Sequence, residues 1–149
     1  LLLPVYVVVV DEISAEAKGK VVSIESISPQ QRIVDIGSQT IKNFRKELQK
    51  CQTVFWNGPM GISEIPQFAE GTRAMASLLA NLEATTIIGG GSTAEIVTNL
   101  GLADKMTFVS TGGGASLRFL GGQTLPGVEA LLDKDALASG KLMGLKPSG

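Results

Sequence analysis

Four short apolar runs constrain this chain more than any other feature. Ile33–Ile36, Thr53–Trp56, Thr85–Ile88 and Met106–Val109 are rich in β-branched residues, and each leads into glycine: Gly37, Asn57-Gly58, Gly89-Gly90-Gly91 and, after Ser110-Thr111, Gly112-Gly113-Gly114. Between them Ile41, Phe44 and Leu48, and then Met75, Leu78, Leu79 and Leu82, recur at helical spacing, the second series opened by Thr72 as an N-cap. Shorter helices are read from Thr93 to Leu100, stopped at Gly101, and from Ala115 to Leu120. Strands alternating with helices through short turns predict an α/β fold. The reading is a three-layer α/β/α arrangement, Rossmann-like, with a largely parallel sheet truncated at its N-terminal side.

The first residues, Leu1 to Val10, form the longest apolar run, half of what a bilayer span needs, with no basic flank before it. Its valines read as a strand buried on both faces of a parallel sheet. Asp11 to Lys20 reads as polar and helix-compatible, and Val21–Ile24 as a short extended segment ahead of Ser28-Pro29. The chain opens inside a strand without an initiator Met, which reads as a fragment. Residues 134–149 read as a partly mobile tail.

Composition removes whole classes of chemistry. Lys plus Arg is 13 and Asp plus Glu is 14, a net charge of −1, so no basic footprint calls for nucleic acid or an anionic membrane. There is no histidine, which excludes imidazole bases and Ser-His-Asp or Cys-His nucleophiles. The single cysteine, Cys51, leaves no disulfide within the chain and reads as a half-buried, inert thiol. Eighteen of the 149 residues are glycine, six of them in the two triplets. Any chemistry must come from backbone amides, hydroxyls, amides, carboxylates, lysines or arginines.

The triplets form a small repeat of strand, three glycines, hydroxyl residues and helix. Successive glycines at positive φ can aim N–H groups at one point, and the helix that follows adds its unpaired N-terminal amides and the positive end of its dipole. In an open α/β sheet such turns lie outside the carboxyl ends of the strands, so both triplets, Asn57 and Gly37 are expected to border one phosphate-binding crevice. Neither triplet is a P-loop, and neither continues as Gly-x-Gly-x-x-Gly, because Ala94 and Leu117 stand at the third position. Plain tight turns without a ligand are the structural alternative.

The string Thr53-Val54-Phe55-Trp56-Asn57-Gly58-Pro59-Met60-Gly61 with Glu64, then Gly89-Gly90-Gly91, then Ser110-Thr111-Gly112-Gly113-Gly114-Ala115-Ser116, and finally Leu125-Pro126-Gly127-Val128, closely resembles the C-terminal, nucleotide-binding part of the phosphoglycerate kinase family. The weaker signatures Leu2-Leu3-Pro4 and Val34-Asp35-Ile36-Gly37 fall in the right order. The resemblance covers residues 1–133 and implies the later part of the nucleotide lobe. It implies reversible phosphoryl transfer between 1,3-bisphosphoglycerate and Mg-ADP, giving 3-phosphoglycerate and ATP, in a cytoplasmic enzyme that is a monomer at full length. This chain would carry the nucleotide-side half-site alone and be inactive in isolation. The alternative is an α/β fragment that binds nucleotide phosphates without catalysis.

By the same resemblance Glu64 is similar to the carboxylate that receives the ribose hydroxyls, Asn57 to the amide near the phosphates, and Ile33 with Val34 to an adenine-side wall. Gly90, Gly91, Ser92 and Thr93 resemble the phosphate loop, and Gly91, Thr93, Gly113 and Gly114 the catalytic turns that meet the transferred group. The family has aspartate where this chain has Ser92, so the expected Mg²⁺ ligand here is a neutral hydroxyl, a weaker partner for a hard cation, with Glu95 as a substitute charge. Read without the resemblance, Trp56 is core, Glu64 a solvated charge, and Asp11, Glu12 and Asp35 strand-end carboxylates that cap turns.

Overall fold

The computed structural model describes residues 1–131, so the expected lobe boundary at 133 and the tail 134–149 lie outside the described residues. The chain divides into two units, Leu1–Gly113 and a second beginning at Gly114.

The first unit holds two three-stranded sheets. In one, β1 (Tyr6–Val10) lies between β2 (Lys20–Ser23) and β3 (Arg32–Ile36), antiparallel to both. This corrects the reading of the valine run as a parallel strand. The Asp11–Gly19 connection is shorter than the dozen or so residues of a helical crossover, so the chain can only turn back on itself. It forms no helix, which also corrects the sequence reading: Ile13, Ala15 and Ala17 make no apolar stripe that could dock one. Burial along β1 alternates, with Val7, Val9 and Val10 inside and Tyr6 out, until a bulge opposite β3 at Val8/Val9 breaks the register. Beneath this sheet Val10, Val34 and the fully enclosed Phe68 form a small core, flanked by Val8, Ala17, Ile62 and Ile65.

The second sheet is parallel, as the glycine-punctuated runs predict. β4 (Thr53–Asn57), β5 (Thr85–Gly89) and β6 (Phe108–Ser110) pair in that order. One face carries Val54, Trp56 and Ile88 into the main core, where they meet Met75, Ala76 and Leu79 of α2 (Glu70–Leu79) and Val97 of α3 (Gly91–Asn99). On the other face Phe55 and Ile87 are half-buried. Trp56 is core, as read from the sequence; its Nε1 has no partner among the described residues. Cys51 is exposed rather than half-buried. The helix predicted around Ile41, Phe44 and Leu48 is α1 (Ser38–Leu48), which packs on α2. α3 ends as predicted: Gly101 at φ +67° lets its own N–H reach Thr98 O and the Leu102 N–H reach Val97 O, a Schellman stop.

The second unit continues α4 (Gly113–Leu120), which starts two residues earlier than the sequence suggested, and adds the short α5 (Pro126–Glu129). Gly122 repeats the Gly101 geometry at φ +73°, with Gln123 N–H bonded to Arg118 O.

Threonine hydroxyls tie the first unit together. The Thr40 hydroxyl, fully enclosed in the first turn of α1, accepts from the amides of Val5 (3.1 Å) and Tyr6 (2.9 Å) and donates to Tyr6 O (2.6 Å). Thr86 and Thr107 bridge neighbouring strands reciprocally, each amide donating to the other's hydroxyl at 3.0 and 3.2 Å. Thr72 is not the N-cap predicted for α2; it lies inside the helix, where its Oγ1 accepts from the Met60 amide at 3.0 Å. Replacing Thr40 by Val keeps the volume and strands the amides of Val5 and Tyr6, while Tyr6 O keeps its bond from Gly37, so Thr40→Val should cost about 2 kcal/mol. Urea unfolding would show this as a lower midpoint at unchanged slope; an unchanged midpoint would show that water replaces the hydroxyl.

Candidate functional site

The parallel register brings three strand ends to one line. Asn57 pairs with Gly89, and Gly89 with Ser110, so β4, β5 and β6 finish together at their carboxyl ends. The chain then turns sharply at Gly58 (φ +103°) and at Gly90 (φ +92°), which is the N-cap of α3. A side chain at Gly90 would be strained by its φ.

The two glycine triplets are not equivalent, although their sequences suggest a repeat. No glycine of the second triplet has a positive φ. Gly113 is instead required by proximity: a Cβ there would lie 2.5 Å from Asn57 Oδ1 and 2.7 Å from Gly90 Cα. Asn57 Oδ1 also stands 3.1 Å from the Cβ position of Gly90. Asn57, Gly90 and Gly113 therefore converge, as the sequence suggested. Gly91 and Ser92 are exposed at the start of α3, and the opening amides of that helix have no carbonyl one turn earlier to bond. The result is a surface of backbone donors at the positive end of a helix, suited to an anion.

Other predicted residues stand elsewhere. Thr93 is buried, and its Oγ1 accepts from the Gly58 amide at 2.8 Å, so its hydroxyl holds the Asn57-Gly58 turn rather than facing open space. Gly37 does not end a parallel strand; it follows β3 of the antiparallel sheet and donates to Tyr6 O at 2.8 Å. Ile33 and Val34 lie on that same strand, Ile33 exposed and Val34 packed in the core beneath it. Glu64 is exposed in the segment between β4 and α2, hydrogen-bonded from Ser63 Oγ at 3.4 Å. Gly114 is exposed and belongs to the second unit. Among the described residues no group of three or more Cys, Asp or Glu side chains could hold a metal ion, and Ser92 is the sequence-predicted ligand that remains at the helix start.

A sequence model of the family described as phosphoglycerate kinase matches residues 1–123. The chain belongs to the phosphoglycerate kinase family. It is 50% identical over 132 residues to the phosphoglycerate kinase of Roseiflexus sp. (strain RS-1), covering 89% of this chain and 33% of that one. The Chlorobaculum tepidum phosphoglycerate kinase is 54% identical over 136 residues, covering 89% and 34%. Among solved structures, phosphoglycerate kinase from Coxiella burnetii superposes with a TM-score of 0.79 at 41% identity, over 86% of this chain and 33% of that one. The Pyrococcus horikoshii OT3 enzyme gives a TM-score of 0.70 at 31% identity, over 86% and 31%. The chain thus spans about a third of the length of the phosphoglycerate kinases it matches.

One polar residue of the chain was underrated by its sequence. Asp35, read as a cap for its own turn, is 1% exposed and bonds from Oδ1 to the adjacent Ile36 amide and from Oδ2 to the Gly71 amide, both at 2.8 Å. Gly71 is the second residue of α2, whose N-cap, Ala69, has no side-chain acceptor to offer. Asp35 thus caps α2 from a different sheet. A charged residue between the apolar Val34 and Ile36 was the only signal for it.

Burial pushes the Asp35 carboxyl above the ordinary aspartate range, against the amides of Gly71, Ile36 and Glu70. A group that holds its proton more tightly when folded adds stability as pH falls; the contribution is complete below about pH 3.9 and is lost as pH rises through the raised value. Asparagine cannot titrate. The unfolding free energy of the chain should therefore gain on that of Asp35→Asn as pH is lowered from 7 toward 4, measured by urea midpoints, whereas a constant difference would mean that burial leaves the carboxyl unshifted.

Proposed function

We propose that this chain carries the nucleotide side of a phosphoglycerate kinase. The terminal phosphates of ADP or ATP would sit where Asn57, Gly90 and Gly113 converge. The observation that carries this reading is that convergence, at the common end of three parallel strands, where no Cβ fits at Gly113. Phosphoryl transfer asks little covalent chemistry of the protein and much positioning and charge stabilisation. The amides at Gly90 and Gly91 and the dipole of α3 supply fixed positive character, and the Asn57 side chain orients the group between the two glycine turns. Thr93 acts one step back, holding Gly58 and so the Asn57 side chain in place.

Magnesium enters as part of the nucleotide complex. Ser92 would offer it a hydroxyl and Glu95 a carboxylate, directly or through water, a hard-oxygen set of the kind Mg²⁺ takes alongside nucleotide phosphates. Glu64 receives the ribose hydroxyls, and Ile33 is the exposed member of the adenine-side pair. In the whole protein the reaction is reversible phosphoryl transfer between 1,3-bisphosphoglycerate and Mg-ADP, in a cytoplasmic monomer. No helix among the described residues is long and apolar enough to cross a membrane. The coverage of about a third of its relatives favours the binding-only reading for the chain in isolation: it takes up nucleotide and does not turn over both substrates.

Trp56 precedes Asn57 directly and is the single tryptophan, so its fluorescence reports on the site. Titration with Mg-ADP should give a saturable change, and none at millimolar nucleotide would remove the nucleotide reading. Asn57→Asp places a carboxylate against the phosphates and should weaken Mg-ADP at least tenfold, equivalent to about 1.4 kcal/mol. Ser92→Asp should instead tighten Mg-ADP while leaving metal-free ADP unchanged or weaker; equal effects on both would show that Ser92 does not face the metal.

A further inference from the structure

Between β4 and α2 the chain runs as a loop, Gly58 to Ala69, that carries Glu64 yet has little regular structure of its own beyond a single turn at Pro66–Phe68. Its position comes from outside. The Ile62 amide donates to Val34 O at 2.9 Å, and the Met60 amide to Thr72 Oγ1 at 3.0 Å. Gly61 is enclosed from two sides: a Cβ there would collide with Phe68 O, later in the same loop, and stand 2.6 Å from both Asp35 Oδ1 and Val34 O of β3. A Cβ at Gly71 would likewise collide with Asp35 Oδ1. The Asp35 carboxylate thus fills the space between loop and helix, bonded to the helix and in contact with the loop. Among the described residues no Lys or Arg pairs with it; Arg73, the nearest in sequence to the cap, is engaged with Glu70 and Pro66 O.

We propose that Asp35 is a positioning residue: it sets the distance between the Glu64 loop and β3, and through it the reach of Glu64 to the nucleotide ribose. The proposal rests on the nucleotide reading above for its ligand. Close packing makes the coupling direct, because a dry contact with no spare volume transmits a displacement instead of absorbing it. Glu64 itself is exposed and among the described residues has no side-chain bond beyond Ser63, so its place follows the loop.

Two ligands separate this role from general support of the fold. Mg-ADP has a ribose and magnesium pyrophosphate has none, and calorimetric titration of the 149-residue chain measures both. Asp35→Ala, which empties the space between loop and helix, should weaken Mg-ADP about tenfold, in the range by which loosened supporting residues degrade a site, and leave pyrophosphate within about twofold. Combined with Glu64→Gln it should add nothing further, since both act on one contact. Gly61→Ala, which crowds the carboxylate from the loop side together with Phe68 O while leaving Asp35 and the Gly71 amide chemically intact, should reproduce the selective loss and decides the matter if Asp35→Ala does not fold. Equal losses for both ligands, or additive losses with Glu64→Gln, would overturn the proposal.

Amide hydrogen exchange provides an arm that needs no ligand. Displacing the loop should speed exchange at Ile62 and Ile65 and leave β5 unchanged. If the wild-type chain binds neither ligand, the nucleotide reading fails, and unchanged exchange in both variants would then overturn the positioning role on its own.

Discussion

Two backbones meet at Gly113 and Gly90 with no room for a side chain between them, and the arrangement of the carboxyl edge follows from that contact. For Gly113 to reach Gly90, β6 must end level with β5; for Asn57 to place its Oδ1 against both, β4 must end there too. A one-residue slip of either pairing would carry every inward side chain to the opposite face. The core residues Val54, Trp56 and Ile88 and the polar strand ends are therefore fixed by one register. The packing that stabilises the sheet is also what aligns the turns.

Polar atoms do much of the joining that apolar contacts do elsewhere. Thr40 fastens α1 to β1, Thr72 holds Met60, Thr93 holds Gly58, and Thr86 and Thr107 link adjacent strands. A hydroxyl is well suited to this, since it both accepts and donates in the volume of a methyl. The cost is that Thr40, Thr72, Thr86 and Thr93 are buried and must be satisfied. Thr93 shows the consequence for function: a residue whose place in its motif points to the ligand is committed to the backbone of the neighbouring turn.

The parallel sheet, α1, the helix stop at Gly101 and the convergence of Asn57 with the two glycine triplets were legible because each depends on local chemistry: β-branched runs, apolar periodicity and glycine at strand ends. Three features were not. The valine run reads as a parallel strand because burial of Val7, Val9 and Val10 says nothing about the direction of their neighbours; the short Asp11–Gly19 connection was the clue. Thr72 looks like a cap because a threonine before an apolar stripe usually is one, and only the three-dimensional position of Met60 shows otherwise. Asp35 is the clearest case, since the amide it serves belongs to Gly71, well beyond any local pattern.

That long-range cap has a consequence for how the chain comes to be folded. A helix whose first amides are capped by its own N-cap side chain can persist briefly by itself; α2 has alanine at that position and borrows its cap from β3. Its N-terminal turn is complete only after the intervening segment, with α1 and β4, has been enclosed. Closing so large a loop costs entropy before the bond offsets it. α2 should therefore acquire its final end late, together with the loop that precedes it, and the two should open as one cooperative unit.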